Sequence, residues 1–93
     1  PTGTRVEVAG VVTHRRRPAT AAGVTFLSLE DETGLLNVVC SSGLWARYRQ
    51  VARTSAALVV RGTIERGDGV LNLVADHLRD LPLQVASRSR DFR

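Results

Sequence analysis

The sequence predicts a small all-β barrel of five strands, with one helix between the third and the fourth. Three observations carry that expectation. Runs rich in β-branched residues recur at short spacing, separated by Gly-, Asp- and Pro-bearing turn signals. One stretch alone, through Leu44, Trp45, Tyr48, Val51 and Ala52, changes to the helical period. The chain has 93 residues, enough for one domain. A domain of that size buries only ~60–65% of its unfolded surface, so its core is thin and an enclosed active site has little room.

Each element follows in order. The first strand is expected over residues 6–13, where Gly10 interrupts a Val-rich run and predicts a bulge or sharp coil. His14-Arg15-Arg16-Arg17-Pro18-Ala19-Thr20-Ala21-Ala22 reads as the connection to a second strand at residues 24–29. Asp31-Glu32-Thr33-Gly34 is a tight hairpin turn with Gly34 placed for positive φ, and residues 35–40 form the third strand. Ser41 or Ser42 N-caps a helix of roughly two to three turns. The fourth and fifth strands span residues 56–65 and 70–78, joined by the hairpin Arg66-Gly67-Asp68-Gly69. After Leu81-Pro82 the composition turns Ser/Arg-rich and is expected to fray, which divides the chain into a domain at 1–81 and a tail at 82–93. Five strands with a helix after the third is the order of an OB-fold, a partly open Greek-key barrel. SH3-like barrels lack a helix of this size at that place.

Composition narrows the function classes. Hydrophobic residues at 43% and charged residues at 24% exclude disorder throughout. The longest uncharged apolar stretch, residues 56–60, is far too short for a bilayer, no signal peptide is visible, and no membrane partner is expected. An opening Pro1 in place of Met predicts a portion of a longer protein. The single Cys40 forms no internal disulfide, which favours a reducing cytoplasmic setting. The net charge is +4, and all thirteen basic residues are Arg. A guanidinium is a planar fork suited to phosphate and to stacking on bases, although a GC-rich genome also produces Arg in place of Lys. Nucleic acid is the leading candidate partner.

Strand alternation assigns the faces. Leu27, Leu29, Leu36 and Val38 make the more uniformly apolar row and should point inward, with Cys40 as a small core residue. Phe26 then lies outside, near Asn37 on the neighbouring strand. A ring there offers a stacking surface worth ~1–3 kcal/mol per base, and Asn37 can hydrogen-bond a base edge. A core position, or cover from another domain, are the alternatives for Phe26. Arg15, Arg16 and Arg17 in the first loop repel one another by up to ~1 kcal/mol per pair, which suggests an anionic partner; a solvated loop is the alternative. Arg61 on the fourth strand and Arg66 in the last hairpin would extend the basic track.

Other features read as structure. Glu30-Asp31-Glu32 points alternately and suits a turn better than a magnesium site. His14 and His77 lack a paired Cys or carboxylate motif. Trp45 and Tyr48 have core spacing on the helix and are expected to pack against the barrel end, with a docking surface for a neighbouring domain as the alternative. No nucleophile–base pair, phosphate-cradling Gly loop or pair of converging carboxylates is present, so the fragment is not expected to be catalytic by itself.

The stretch Arg15-Arg16-Arg17-Pro18-Ala19-Thr20-Ala21-Ala22-Gly23-Val24-Thr25-Phe26-Leu27-Ser28-Leu29-Glu30-Asp31-Glu32-Thr33-Gly34 resembles the C-terminal OB domain of error-prone C-family DNA polymerases, relatives of the bacterial DNA polymerase III alpha subunit. Trp45-Ala46-Arg47-Tyr48-Arg49 and the terminal Ser87-Arg88-Ser89-Arg90-Asp91-Phe92-Arg93 are similar to that family as well, and the Arg and Ala usage fits an actinobacterial source. The resemblance implies a parent nucleotidyltransferase for translesion synthesis in DNA replication, damage response and repair. Its Mg2+-binding carboxylates would lie in a palm domain outside these residues, with no cofactor in this fragment. It further implies that Arg15, Arg16, Arg17, Phe26 and Asn37 engage single-stranded template DNA, and that a sliding clamp and accessory translesion proteins are partners of the parent. The second reading is a protein-interaction module, docking an accessory protein or a neighbouring polymerase domain through Val24, Phe26 and Val39 or through residues 88–93. A tRNA synthetase anticodon-binding domain shares the fold, but the terminal segment and Pro18-Ala19-Thr20-Ala21 argue against it.

Overall fold

The computed structural model describes residues 3–19, 23–32, 34–67 and 70–82. Its elements are β1 (Arg5–Arg16), β2 (Thr25–Asp31), β3 (Gly34–Cys40), α1 (Ser42–Arg47), α2 (Arg49–Thr54), β4 (Ala57–Gly67) and β5 (Val70–Asp80). The strands close into a barrel in the order β1-β2-β3-β5-β4. Every pairing is antiparallel except β3 with β5. The expected all-β, five-stranded barrel is therefore the observed one.

Closure depends on β1 serving two partners. Residues 5–11 pair with β4 and residues 11–16 with β2. A strand that turns from one neighbour to another must coil, and the register shift that permits this lies between Val12 and His14. The irregularity thus falls at Thr13, whose hydroxyl donates to the Ser28 carbonyl at 3.3 Å, and not at Gly10. Gly10 has a steric cause instead, because a Cβ there would press on the Glu30 carbonyl oxygen. Gly62 is tighter still: a Cβ would collide with the Val74 carbonyl, beside a second register shift between Arg61 and Gly62.

The β1–β2 ladder runs on through Arg15 opposite Leu27 and Arg16 opposite Phe26. Two of the three consecutive arginines are therefore strand residues, a correction to their expected place in the loop. Backbone pairing overrides the charged composition, since the side chains at the end of a ladder reach solvent without breaking it.

Leu27, Leu29, Val38 and Cys40 are buried together with Leu58, Val60 and Leu73, and Leu36 is partly buried against them. The inward row is the one alternation predicts. Burial pushes the Cys40 thiol up to about 12. The β2–β3 hairpin closes where Asp31 faces Gly34, whose φ is +130°, as the turn reading expects. β4 and β5 pair out to Gly67 opposite Val70; Asp68, Gly69 and residues 83–93 of the expected tail lie outside the described residues.

Two six-residue helices replace the single helix expected between β3 and β4. The Ser41 hydroxyl caps α1 by accepting from the Leu44 N–H at 3.2 Å. Tyr48 then leaves the helical region at φ −111° and ψ 24°. Its N–H still reaches the Leu44 carbonyl and its own carbonyl accepts from Ala52, so i→i−4 bonding continues on both sides of the break. The break coincides with an edge-on contact between the Tyr48 and His77 rings, 5.2 Å apart at 64°. Leu44, Trp45, Tyr48 and Val51 pack against the barrel, and Ala52 is buried. No helix of the described residues is long and apolar enough to cross a membrane.

Candidate nucleic-acid interface

The outer face of β2 and β3 is set by the pleat. Leu27 and Val38 point inward, so Phe26 and Asn37 stand outward on adjacent strands. Phe26 is half-buried and lies outside the core cluster. It is not bare: the guanidinium of Arg16, its cross-strand neighbour, sits 5.5 Å from the ring centroid. This cation–π contact sets a cation beside an aromatic ring, and both groups are of the kind on which a base lies down.

Asn37 adjoins that surface. Its Nδ2 donates to Asn72 Oδ1 at 2.8 Å across the parallel β3–β5 pairing. The bond orients two amides side by side and leaves the Asn37 oxygen, the second Asn37 N–H and both Asn72 N–H groups for other partners. Asn72 was not among the residues the sequence pointed to. Nothing in a one-dimensional pattern brings it to Asn37, because the parallel pairing joins strands separated by the helices and β4.

The three consecutive arginines part company. Pleating sends Arg15 and Arg17 toward the helix-covered end of the barrel while Arg16 goes to the outer face. Arg15 Nε donates to the Ala52 carbonyl at 2.8 Å, and its Nη2 donates to the Ser55 carbonyl, so it closes the C-terminus of α2. Arg17 Nε donates to Thr25 Oγ1 at 3.1 Å, and its guanidinium lies 5.4 Å from the Trp45 ring centroid. Helical spacing favours packing against the barrel end for Trp45; its ring also lies beside the Arg17 guanidinium.

Arg61 stands elsewhere. It pairs across from Glu7 in the first half of β1, and its Nε meets Asp76 at 3.2 Å, a carboxylate that Arg5 also holds at 3.0 Å. The second half of β1, not the first, borders Phe26. Arg66 is exposed near the β4–β5 hairpin, opposite Leu71. The structure therefore brings Arg16, Phe26 and Asn37 to one face, places Arg15 and Arg17 at the adjoining barrel end, and sets Arg61 on the β1–β4–β5 side.

Residues 6–81 match the sequence pattern of the OB-fold nucleic acid binding domain family. The chain belongs to that family. Among curated relatives, this OB-fold domain is 69% identical over 96% of its length to an error-prone DNA polymerase of Cutibacterium acnes. It is 63% identical over 98% of its length to an error-prone DNA polymerase of Nocardia farcinica. It spans 8% of the length of either relative. The resemblance to error-prone polymerases, read from the Arg15–Gly34 stretch, is thereby borne out, as is its actinobacterial character. The OB-fold barrel also superimposes on asparaginyl-tRNA synthetase from Pyrococcus horikoshii, with a TM-score of 0.70 at 20% identity. That superposition covers 86% of this chain and 19% of the synthetase, and it bears on the fold alone.

Proposed function

We propose that this OB-fold domain is the single-stranded DNA module of an error-prone polymerase, laying template bases on the outer face of β2 and β3. The observation that carries the reading is the Arg16–Phe26 stack beside the Asn37–Asn72 amide pair. Phe26 and the Arg16 plane accept bases of any identity, and the amides offer one acceptor and donor groups to a base edge. Sequence-tolerant contact of this kind suits a template strand, whose bases vary. The domain would act within a longer DNA-handling enzyme of the cytoplasm, engaged in translesion synthesis and repair, with a sliding clamp and accessory proteins as partners of that enzyme. Its contribution would be positioning.

Fluorescence anisotropy of a labelled oligonucleotide against the 93-residue chain tests the proposal. Expected are weak binding at low salt and a slope of log affinity on log salt near −0.7 for each phosphate neutralised. Phe26→Ala should lower affinity by about 5- to 100-fold, as loss of one stacked base implies. Absence of binding at low salt, or full binding by Phe26→Ala, would overturn it.

A protein-docking role is the second reading. Leu35, 70% exposed on the same outward row of β3 as Asn37, supports it. Leu35→Ser separates the two, because DNA affinity should survive it while capture of a partner should not.

A further inference from the structure

Away from the β2–β3 face, a cleft of about 480 Å³ opens between the end of β1 and the two helices. Arg17, Trp45, Arg49 and Arg53 are among its lining. An adjoining recess shares Arg17, Trp45 and Arg53 with it and extends to Arg15 and Arg16. Neither lining includes a carboxylate among the described residues. Among the described residues, no acidic side chain pairs with Arg49 or Arg53; the ion pairs found there belong to Arg5 and Arg61 with Asp76.

That arrangement has an electrostatic cost. Arg49 and Arg53 are four residues apart on α2, where like charges oppose the helix by ~0.2–0.5 kcal/mol, and Arg17 adds a third cation to the same cleft. The usual structural use for such residues, closing a helix C-terminus, is already filled by Arg15 at the Ala52 and Ser55 carbonyls. Two guanidiniums are therefore held in an open, acid-free cleft with no side-chain bond to the fold among the described residues. Trp45 packs partly against the core and also seats Arg17, so one of the three cations is held in place before any ligand arrives.

We infer that this cleft is a second binding site, for the phosphodiester backbone of the strand that leaves the β2–β3 face. The inference rests on the proposed single-strand function, and the connection is physical: Arg16, stacked on Phe26, also lines the recess that runs into the cleft. Cationic surface is thus continuous from the stacking platform to Arg49 and Arg53. Bases would be read as planes on the outer face, and the onward backbone would be held by charge at the barrel end. The combined footprint should exceed that of the outer face by a few nucleotides.

The test compares oligonucleotides of about 5 and about 16 nucleotides, spanning the range of single-domain footprints, by fluorescence anisotropy. The Arg49→Ala/Arg53→Ala variant should bind the longer strand about 5- to 20-fold more weakly. Its salt slope should be shallower by about 0.7 for each phosphate that is no longer neutralised. Binding of the short strand should be unchanged. Arg49→Lys/Arg53→Lys should restore the slope, which separates missing charge from failed folding, and unaltered thermal melting provides the same check. An unchanged slope for the longer strand overturns the cleft while leaving the outer face standing. Failure of Phe26→Ala to weaken the short strand defeats the outer face, and with it the passage of the strand from that face into the cleft. A poly-glutamate peptide of matched charge is the competing ligand. Should it bind the wild type and lose affinity in the double Ala variant while the longer strand does not, the cleft belongs to an acidic protein and the inference fails.

Discussion

Arg16 illustrates how one side chain acquires two uses. Pairing opposite Phe26 brings its guanidinium over the ring, while the same side chain borders the recess that Arg15 and Arg17 also line. Arg16→Ala should therefore weaken oligonucleotide binding several-fold with little loss of stability, because a cation–π pair at an accessible site is worth only ~0.5–1 kcal/mol. Arg15→Ala should do the reverse. It removes two charge-assisted hydrogen bonds from the end of α2 and should lower unfolding free energy by about 1–3 kcal/mol in denaturant titrations. Equal effects of the two substitutions on both readouts would refute the division of labour. Cys40 supplies a pH prediction. Its thiol is held up to about 12 in the folded chain, against a reference value of 9.0. Above pH 9 the unfolded chain releases a proton that the folded chain keeps, so the folded state binds more protons and stability falls as pH rises. Relative to Cys40→Val, the wild type should lose stability from about pH 9 toward about 12, and the two should run parallel below that window. Parallel curves throughout would refute the burial argument.

At the level of elements, the barrel depends on two places where backbone meets backbone. Gly62 admits the Val74 carbonyl where β4 shifts register against β5. Gly62→Ala should cost more than about 2 kcal/mol, a loss seen as a lower melting temperature, because neither the carbonyl nor its strand can withdraw without breaking ladder bonds. Ser41→Ala should cost about 0.5–2 kcal/mol through loss of the α1 cap. Much of this level was legible beforehand. The turn at Gly34, the inward row of Leu27, Leu29 and Val38, and the helical period after Ser41 are all local patterns. The extent of β1 was not legible, because Arg15 and Arg16 are strand residues only by virtue of Leu27 and Phe26 opposite them. The break at Tyr48 escaped for a similar reason: Tyr48 and His77, in contact there, are distant in sequence.

Across the whole molecule, charge is distributed unevenly. Six of the thirteen arginines, at positions 15, 16, 17, 47, 49 and 53, gather at the helix-covered end of the barrel or on the helices that cover it. On the β1–β4–β5 side, Arg5 and Arg61 share the Asp76 carboxylate. A cationic end on an otherwise mixed surface steers an anionic strand toward one orientation. The expected consequence is an association rate for oligonucleotides that falls steeply with ionic strength, while the dissociation rate changes much less, measurable by stopped-flow anisotropy. A salt-independent association rate would count against steering.

What the amino-acid order determined by itself was the local grammar: where strands alternate, where a hairpin turns, where a helix begins, and the motif that resembles error-prone polymerases. Those properties depend on neighbours within a few positions along the chain, so they can be read from the chain. Only the tertiary structure decided which of three adjacent arginines faces a base-stacking surface, which amide Asn37 holds, and which cations share a cleft with Trp45. Each of those outcomes is a meeting of segments far apart along the chain, brought about by barrel closure. The physical reason is that closure is a collective result of pairing and burial, and no single stretch of the chain contains it.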